Sequence, residues 1–168
     1  MISYRDATPD DAPAIDGLFR QSFIDTFAHL YDPRDLAAFF TNFTPDGWRS
    51  EIVDPDFAFR LAEADGALAG YAKLASVSLP VTPTSPAVEL RQFYVLKPWH
   101  GAGIARTLID WVFATARGRG AEELYLSVFT ENHRARRFYA RHGCEEVGPY
   151  LFMVGSHADH DLIMRAKL

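Results

Sequence analysis

Leu90-Arg91-Gln92-Phe93-Tyr94-Val95-Leu96-Lys97-Pro98-Trp99-His100-Gly101-Ala102-Gly103-Ile104-Ala105-Arg106 reads as a strand, a glycine-bearing turn and the start of a helix. Val88–Leu96 has strand character, and Lys97-Pro98 ends it. Ile104, Leu108, Trp111, Val112 and Thr115 then keep helical spacing until Gly118 and Gly120 close the element. Gly101 and Gly103 let the backbone adopt angles barred to other residues and pass close to a ligand. The helix they open offers unpaired N–H groups and the positive end of its dipole, which suits a pyrophosphate. Arg106 in the first turn adds a charge-assisted contact. No Gly-Lys-Ser/Thr occurs and the G-x-G-x-x-G pattern is missing, so neither the triphosphatase loop nor the dinucleotide loop applies. Taken alone, a G-x-G before a helix is equally a tight strand-to-helix turn.

Working towards the N-terminus, Leu79–Pro86 holds three prolines and reads as a loop. Ahead of it, Phe57–Glu63 and Ala67–Val77 are strands joined by Ala64-Asp65-Gly66, an Asp-Gly hairpin signal. Ile2–Ala7 is a short strand. Thr8-Pro9-Asp10-Asp11 then starts a helix, with Thr8 as N-cap and Pro9 first, running through Ile15, Leu18, Phe19 and Phe23 to about Ala28. Pro33 to about Asn42 and Thr44 to about Ile52 are further short helices. Towards the C-terminus, Leu124, Leu126 and Val128 alternate as a strand, and a helix from about Asn132 to His142 closes at Gly143. Two strands near Glu145–Met153 and Asp159–Lys167 finish the chain. The order predicts an α/β (α+β) sandwich, residues 1–168 forming one domain around a mixed, mostly antiparallel sheet of about six or seven strands flanked by helices.

Composition bounds the function. The 168 residues are 48% hydrophobic and 14% aromatic, enough for a buried core. No run of about 18 apolar residues occurs, and MISYRDATPDD has acid where a signal peptide is basic, so the expectation is a cytoplasmic protein away from membranes. The net charge of -5 argues against a nucleic-acid binder. Its distribution is uneven: residues 1–66 carry thirteen acids and five bases, the remainder nine acids and twelve bases. Solvated surface charge explains this as well as a cationic ligand met by the first part and a phosphate-bearing one by the second.

A second segment, Leu126-Ser127-Val128-Phe129-Thr130-Glu131-Asn132-His133-Arg134-Ala135-Arg136-Arg137-Phe138-Tyr139-Ala140-Arg141-His142-Gly143, carries Asn, Ala, Tyr and Gly at a spacing that goes with the first. His100-Gly101-Ala102-Gly103-Ile104-Ala105 resembles the Arg/Gln-x-x-Gly-x-Gly/Ala acetyl-CoA signature of the GCN5-related N-acetyltransferases, and the second segment is similar to that family's later motif. His100 replaces the usual Arg or Gln, and Cys144 stands where an aromatic is commoner. The resemblance covers roughly Phe57 to Leu168 and, more loosely, the helical N-terminus.

This resemblance implies acetyl transfer from CoA to an amine. The strand ending in Phe93-Tyr94-Val95 is then expected to splay from the next one, with pantetheine pairing to the backbone of Phe93 and Val95. The turn His100, Gly101, Ala102, Gly103, Ile104, Ala105 and Arg106 would hold the pyrophosphate. Asn132 caps its helix, and the resemblance adds a contact to the pantetheine arm. Tyr139 lies two turns further along the same face; spacing alone weighs a core tyrosine equally, and the resemblance makes it the general acid at the sulfur. Glu89, opening the central strand, is the candidate base through water, with Glu51, Asp54 and Asp56 as rivals.

Other residues read without chemistry. Cys144 lacks an activating partner and reads as a small buried hydrophobe. His157, Asp159 and His160 are a weak metal pattern, so no metal is expected. Arg134, Arg137 and Arg141 form a solvated stripe that offers one arginine to the adenosine phosphate. His29 and Tyr31 end the first helix and either cap it or border the acceptor site. The expected activity is N-acetylation of a small polycationic amine, with peptide or protein amines as the enzymatic alternative and a non-catalytic acetyl-CoA-sensing module as the other. Dimers are common in the family, which inclines the expectation to a homodimer.

Overall fold

In a computed structural model describing residues 1–168, seven strands form one sheet in the order β1-β2-β3-β4-β5-β7-β6. The strands are β1 (Ile2–Asp6), β2 (Ala58–Ala64), β3 (Ala67–Ala75), β4 (Ala87–Val95), β5 (Glu123–Phe129), β6 (Glu145–Val154) and β7 (His157–Lys167). Helices are α1 (Ala12–Phe27), α2 (Pro33–Phe40), α3 (Pro45–Val53), α4 (Ile104–Gly118) and α5 (His133–Arg141). Every pairing is antiparallel except β4 with β5. Asp65 and Gly66 both take positive φ, which is the tight hairpin the Asp-Gly pair predicts.

One expected helix start is modified. Thr8 precedes a single 3-10 turn, Pro9–Asp11, before α1 begins at Ala12. Thr8 is the N-cap as expected: the Asp11 carboxylate accepts its backbone N–H at 2.7 Å, closing a capping box, and also takes the Arg5 guanidinium, which ties the helix start to β1.

Two cores lie on opposite faces of the sheet. Beneath α4 and α5, Ile104, Leu108, Ile109 and Val112 bury against Val88, Leu90, Leu124, Leu126 and Met164. Full burial of each such side chain contributes roughly 1.5–3 kcal/mol. Beneath α1, α2 and α3, the ring of Phe19 meets Phe23, Phe39, Phe40, Phe43, Trp48 and Tyr94. Strand β4 serves both cores through a bulge. Lys73 pairs with Gln92 but Leu74 pairs with Leu90, leaving Arg91 as an extra residue. An extra residue inverts the period of two, so Val88 and Leu90 share a face with Phe93 and Val95, while Tyr94 and Leu96 face the aromatic core.

Candidate active site

The turn after β4 is a cradle of free amides. Gly101 and Gly103 both sit at φ +86°, and a Cβ at either would meet no atom within 4 Å. Within the turn, His100 donates its backbone N–H to Lys97 and Ala102 to Trp99, and the next backbone donor is Thr107, to Gly103. The N–H groups of Gly101, Gly103, Ile104, Ala105 and Arg106 therefore have no acceptor from the backbone. They converge at the N-terminus of a fifteen-residue helix, where the dipole adds to their attraction for an anion. Of the expected side-chain contributors, Arg106 instead reaches Asp110 at 3.0 Å, and Ile104 is buried in the core. His100 braces the turn: Nε2 lies 2.8 Å from the Val95 carbonyl, and Nδ1 meets Arg134 of α5. Both ring nitrogens are thus engaged, so the turn's amides rather than this imidazole offer the anion contacts.

Next to the cradle, the sheet opens. β4 and β5 pair only over Ala87–Glu89 and Glu123–Tyr125. Beyond Glu89 the two strands separate. Leu96 donates to Ala69 of β3, and hydrogen-bonding direction alternates along an antiparallel strand. The N–H groups of Phe93 and Val95 and the Phe93 C=O consequently turn away from β3, into the gap, while the Val95 C=O is taken by His100. Tyr94 contributes no side chain there, because its ring packs on Phe19 and Tyr71 on the other face. A parallel-type gap lined by free backbone groups accepts an extended amide-bearing chain as an added strand.

Helix α5 closes one face of this gap. Asn132 caps it, Oδ1 accepting the Ala135 N–H at 3.2 Å. Tyr139 is 8% exposed, packs its ring 6.3 Å from Phe93 and 5.5 Å from Phe138, and has no hydrogen-bond partner for its hydroxyl. No side-chain polar atom is both sealed from solvent and unpartnered, so this hydroxyl opens onto accessible space. Burial raises its pKa well above the ordinary phenol value, keeping it a proton donor. At the mouth, Ser22, Asp25 and Thr26 of α1, Val95, Lys97 and His100 of the turn and Arg134 of α5 bound a hollow of about 200 Å³. From the arginine stripe, Arg134 is the member that faces it.

Glu89 is the last paired residue before the strands part, and it is buried. Its Oε2 accepts the Ser78 N–H at 2.6 Å, the Ser78 hydroxyl at 3.0 Å and the Leu79 N–H at 3.1 Å. Oε1 has no protein donor. The rivals are occupied elsewhere: Glu51 meets the buried Lys73 at 2.7 Å, Asp54 accepts the Asp56 N–H, and Asp56 accepts from Ser76. Burial lowers the Lys73 pKa, and Glu51 works against that shift. Cys144 is 4% exposed, and burial pushes its thiol up to about 11, which leaves it inert near neutrality.

Sequence reasoning missed Asp161. It and Asp159 alternate along β7 with their side chains inward, 8% and 5% exposed. Asp159 accepts the Tyr31 hydroxyl and pairs with His157 at 3.2 Å, so these groups form a hydrogen-bonded set and no group of three or more potential ligands is arranged for a metal. Tyr31 thereby joins this set; burial and then Asp159 raise its pKa. Asp161 has no hydrogen-bond partner. Burial, and then Asp159, push its carboxyl up to about 7. The signal was present: two acids spaced two apart, hence on one face, in a strand whose other face carries Leu162, Met164 and Ala166.

A family model described as the acetyltransferase (GNAT) family matches residues 18–144. An uncharacterised N-acetyltransferase of Mycobacterium tuberculosis is 34% identical over 137 residues, 81% of this chain and 84% of that protein. An aminoalkylphosphonate N-acetyltransferase of Salmonella typhimurium is 31% identical over 101 residues, 60% of this chain and 65% of its own. Among solved structures, the PaiA N-acetyltransferase of Thermoplasma acidophilum in complex with coenzyme A superposes with a TM-score of 0.82 at 21% identity, covering 100% of this chain and 99% of that one.

Proposed function

The chain belongs to the acetyltransferase (GNAT) family and is an N-acetyltransferase; from that premise we propose that it moves an acetyl group directly from acetyl-CoA to a primary amine of a small polycationic acceptor. The observation that carries this reading is the gap beyond Glu89, with the backbone groups of Phe93 and Val95 turned into it beside five free amides. The cradle fits a pyrophosphate because its donors are amides on glycines that leave open space. A bound acetyl-CoA supplies the activated thioester. The acidic character of residues 1–66, which form α1, α2 and α3, supports a cationic acceptor.

In this reading the chain's residues divide the work. A backbone N–H of β4 stabilises the oxyanion of the tetrahedral intermediate. Tyr139, a buried phenol opening onto the gap, donates its proton to the departing thiolate. Glu89 draws the proton from the attacking amine through water, using Oε1, while Oε2 anchors the Ser78–Leu79 loop. Asn132 holds the pantetheine arm as well as its helix. A thiol-release assay with spermidine, aminoglycosides, amino acids and short peptides tests the proposal. Turnover of the polycationic amines supports it. Turnover confined to peptides would give the acceptor to proteins, and CoA binding without release from any amine would make the domain a sensor.

A further inference from the structure

The first of the paired carboxylates, Asp159, is accounted for by Tyr31 and His157. Asp161 is not. It is more than nine-tenths buried, with no hydrogen bond or ion pair from any side chain, yet its oxygens are not sealed from solvent. An uncompensated buried carboxylate costs a protein several kcal/mol, so its retention calls for a cation that arrives from outside. Its position says from where. Asp161 stands opposite Phe129, the last residue of β5, and opposite Tyr150 of β6. Its charge acts on the Tyr94 hydroxyl of β4 and the Tyr31 hydroxyl. By register it lies at the end of β5, one strand from the gap, on the face where Phe129 meets Phe27 of α1 and opposite α5 and Tyr139.

The titratable groups around it are Asp159 on its own strand, Tyr31 from the turn after α1, Tyr94 from β4 and Tyr150 from β6. His157 pairs with Asp159 rather than with Asp161, no lysine or arginine stands among these groups, and only Asp159 contributes a charge to its ionisation. Two residues of strand span about 7 Å and neighbouring strands lie about 4.8 Å apart. Carried on from Glu89 and Tyr125 with Arg91 as the extra residue, the register sets Phe93 level with Val128, one residue before Phe129, so from that level of β5 to Asp161 is roughly 6 Å by this spacing. With the reach of a side chain included, a four- or five-carbon diamine spans that distance. We propose that Asp161 binds the distal ammonium of an α,ω-diamine or longer polyamine, so that the other nitrogen is presented in the gap between β4 and β5. The proposal rests on the acetyl-transfer reading for what happens at the second nitrogen, and on the geometry of β7 for the first.

The test uses the CoA-loaded protein, 1,4-diaminobutane and butylamine. Calorimetry should show 1,4-diaminobutane binding more tightly above pH 7 than below it, since the carboxylate must be ionised to hold an ammonium. Asp161→Asn should weaken that binding roughly 10- to 100-fold and pull the ratio of kcat/KM for diamine over monoamine towards one. Asp161→Glu advances the carboxylate by one methylene and should shift the preference towards 1,3-diaminopropane, which a merely structural role would not do. Equal diamine affinity in the wild type and Asp161→Asn, or no diamine binding by the wild type, overturns the proposal. Diamine binding that depends on Asp161 without acetylation of any amine upholds it and refutes the acetyl-transfer reading instead.

Discussion

Replacing Asp161 by asparagine should stabilise the protein, and more so at high pH. The folded state holds this carboxyl at about 7, against 3.8 for an ordinary aspartate. A raised acid pKa means that the native state binds the proton more tightly, so the stability it brings is fully present below the ordinary pKa and is lost as pH rises through the folded one. Between pH 5 and pH 8 the loss integrates to about 3 kcal/mol at 1.36 kcal/mol per pKa unit. Asparagine keeps the shape and cannot ionise, so the variant escapes that loss. For a domain of this size each kcal/mol moves Tm by about 2–4 °C. The Tm of Asp161→Asn minus that of the wild type should accordingly grow by roughly 5–10 °C from pH 5 to pH 8. Differential scanning calorimetry at several pH values, without amines in the buffer, reads it directly. Parallel curves would show that Asp161 ionises without penalty, and the claim that it lacks a partner in the free protein would fall with them.

Three further outcomes are expected. Tyr139→Phe removes one oxygen from a ring packed on Phe93 and Phe138; kcat should fall roughly 10- to 10³-fold with Tm little changed, and a melted protein with full kcat per folded molecule would make Tyr139 structural. In Gly103→Val the Cβ meets no neighbouring atom, and backbone strain of about 1–3 kcal/mol at φ +86° opposes folding; CoA affinity measured by calorimetry should drop sharply, and an unchanged affinity in the folded variant would remove the cradle from the site. Glu89→Gln should slow neutral-pH turnover by roughly 10²- to 10⁴-fold, with the defect shrinking as pH nears the amine's own pKa. A pH-independent defect would trace instead to the Ser78–Leu79 loop that Oε2 holds.

What was legible in the sequence is what local physics decides. The Asp65-Gly66 hairpin, the glycine turn, the amphipathic α4 and the Asn132 cap each follow from a few adjacent residues, and each stands where it was expected. The separation of β4 from β5 came only through the family resemblance. No residue of either strand announces it, because it depends on partners more than thirty positions apart. The bulge at Arg91 was hidden for a related reason: Val88, Leu90, Phe93 and Val95 look like a broken alternation until β3 supplies the register. Glu89 was read as an acid opening the central strand and as the candidate base through water. Its burial and its three donors come from a proline-bearing loop whose path the sequence leaves open.

The site has a polarity of its own that cuts across the uneven charge along the chain, since its buried acids Asp159 and Asp161 belong to the net-positive part and Asp25 to the acidic one. At the outer end of the gap stand Lys97, His100, Arg134 and the N-terminus of α4, with Asp25 alone opposing them. On the opposite face stand Asp159 and Asp161, with no lysine or arginine paired to either. A phosphate-bearing substrate directed to the acidic face would meet two carboxylates in a dry setting, and an ammonium directed to the cradle would meet a helix dipole of its own sign. In the proposed reaction each substrate is therefore kept from the other's end, and the two reacting atoms meet in the strip between Phe93 and Val128. The strip itself is nearly uncharged, so the developing oxyanion has backbone N–H groups rather than competing salt bridges for company. Placing the charge at the ends costs stability at Asp161, and it orders two substrates of opposite sign along one gap.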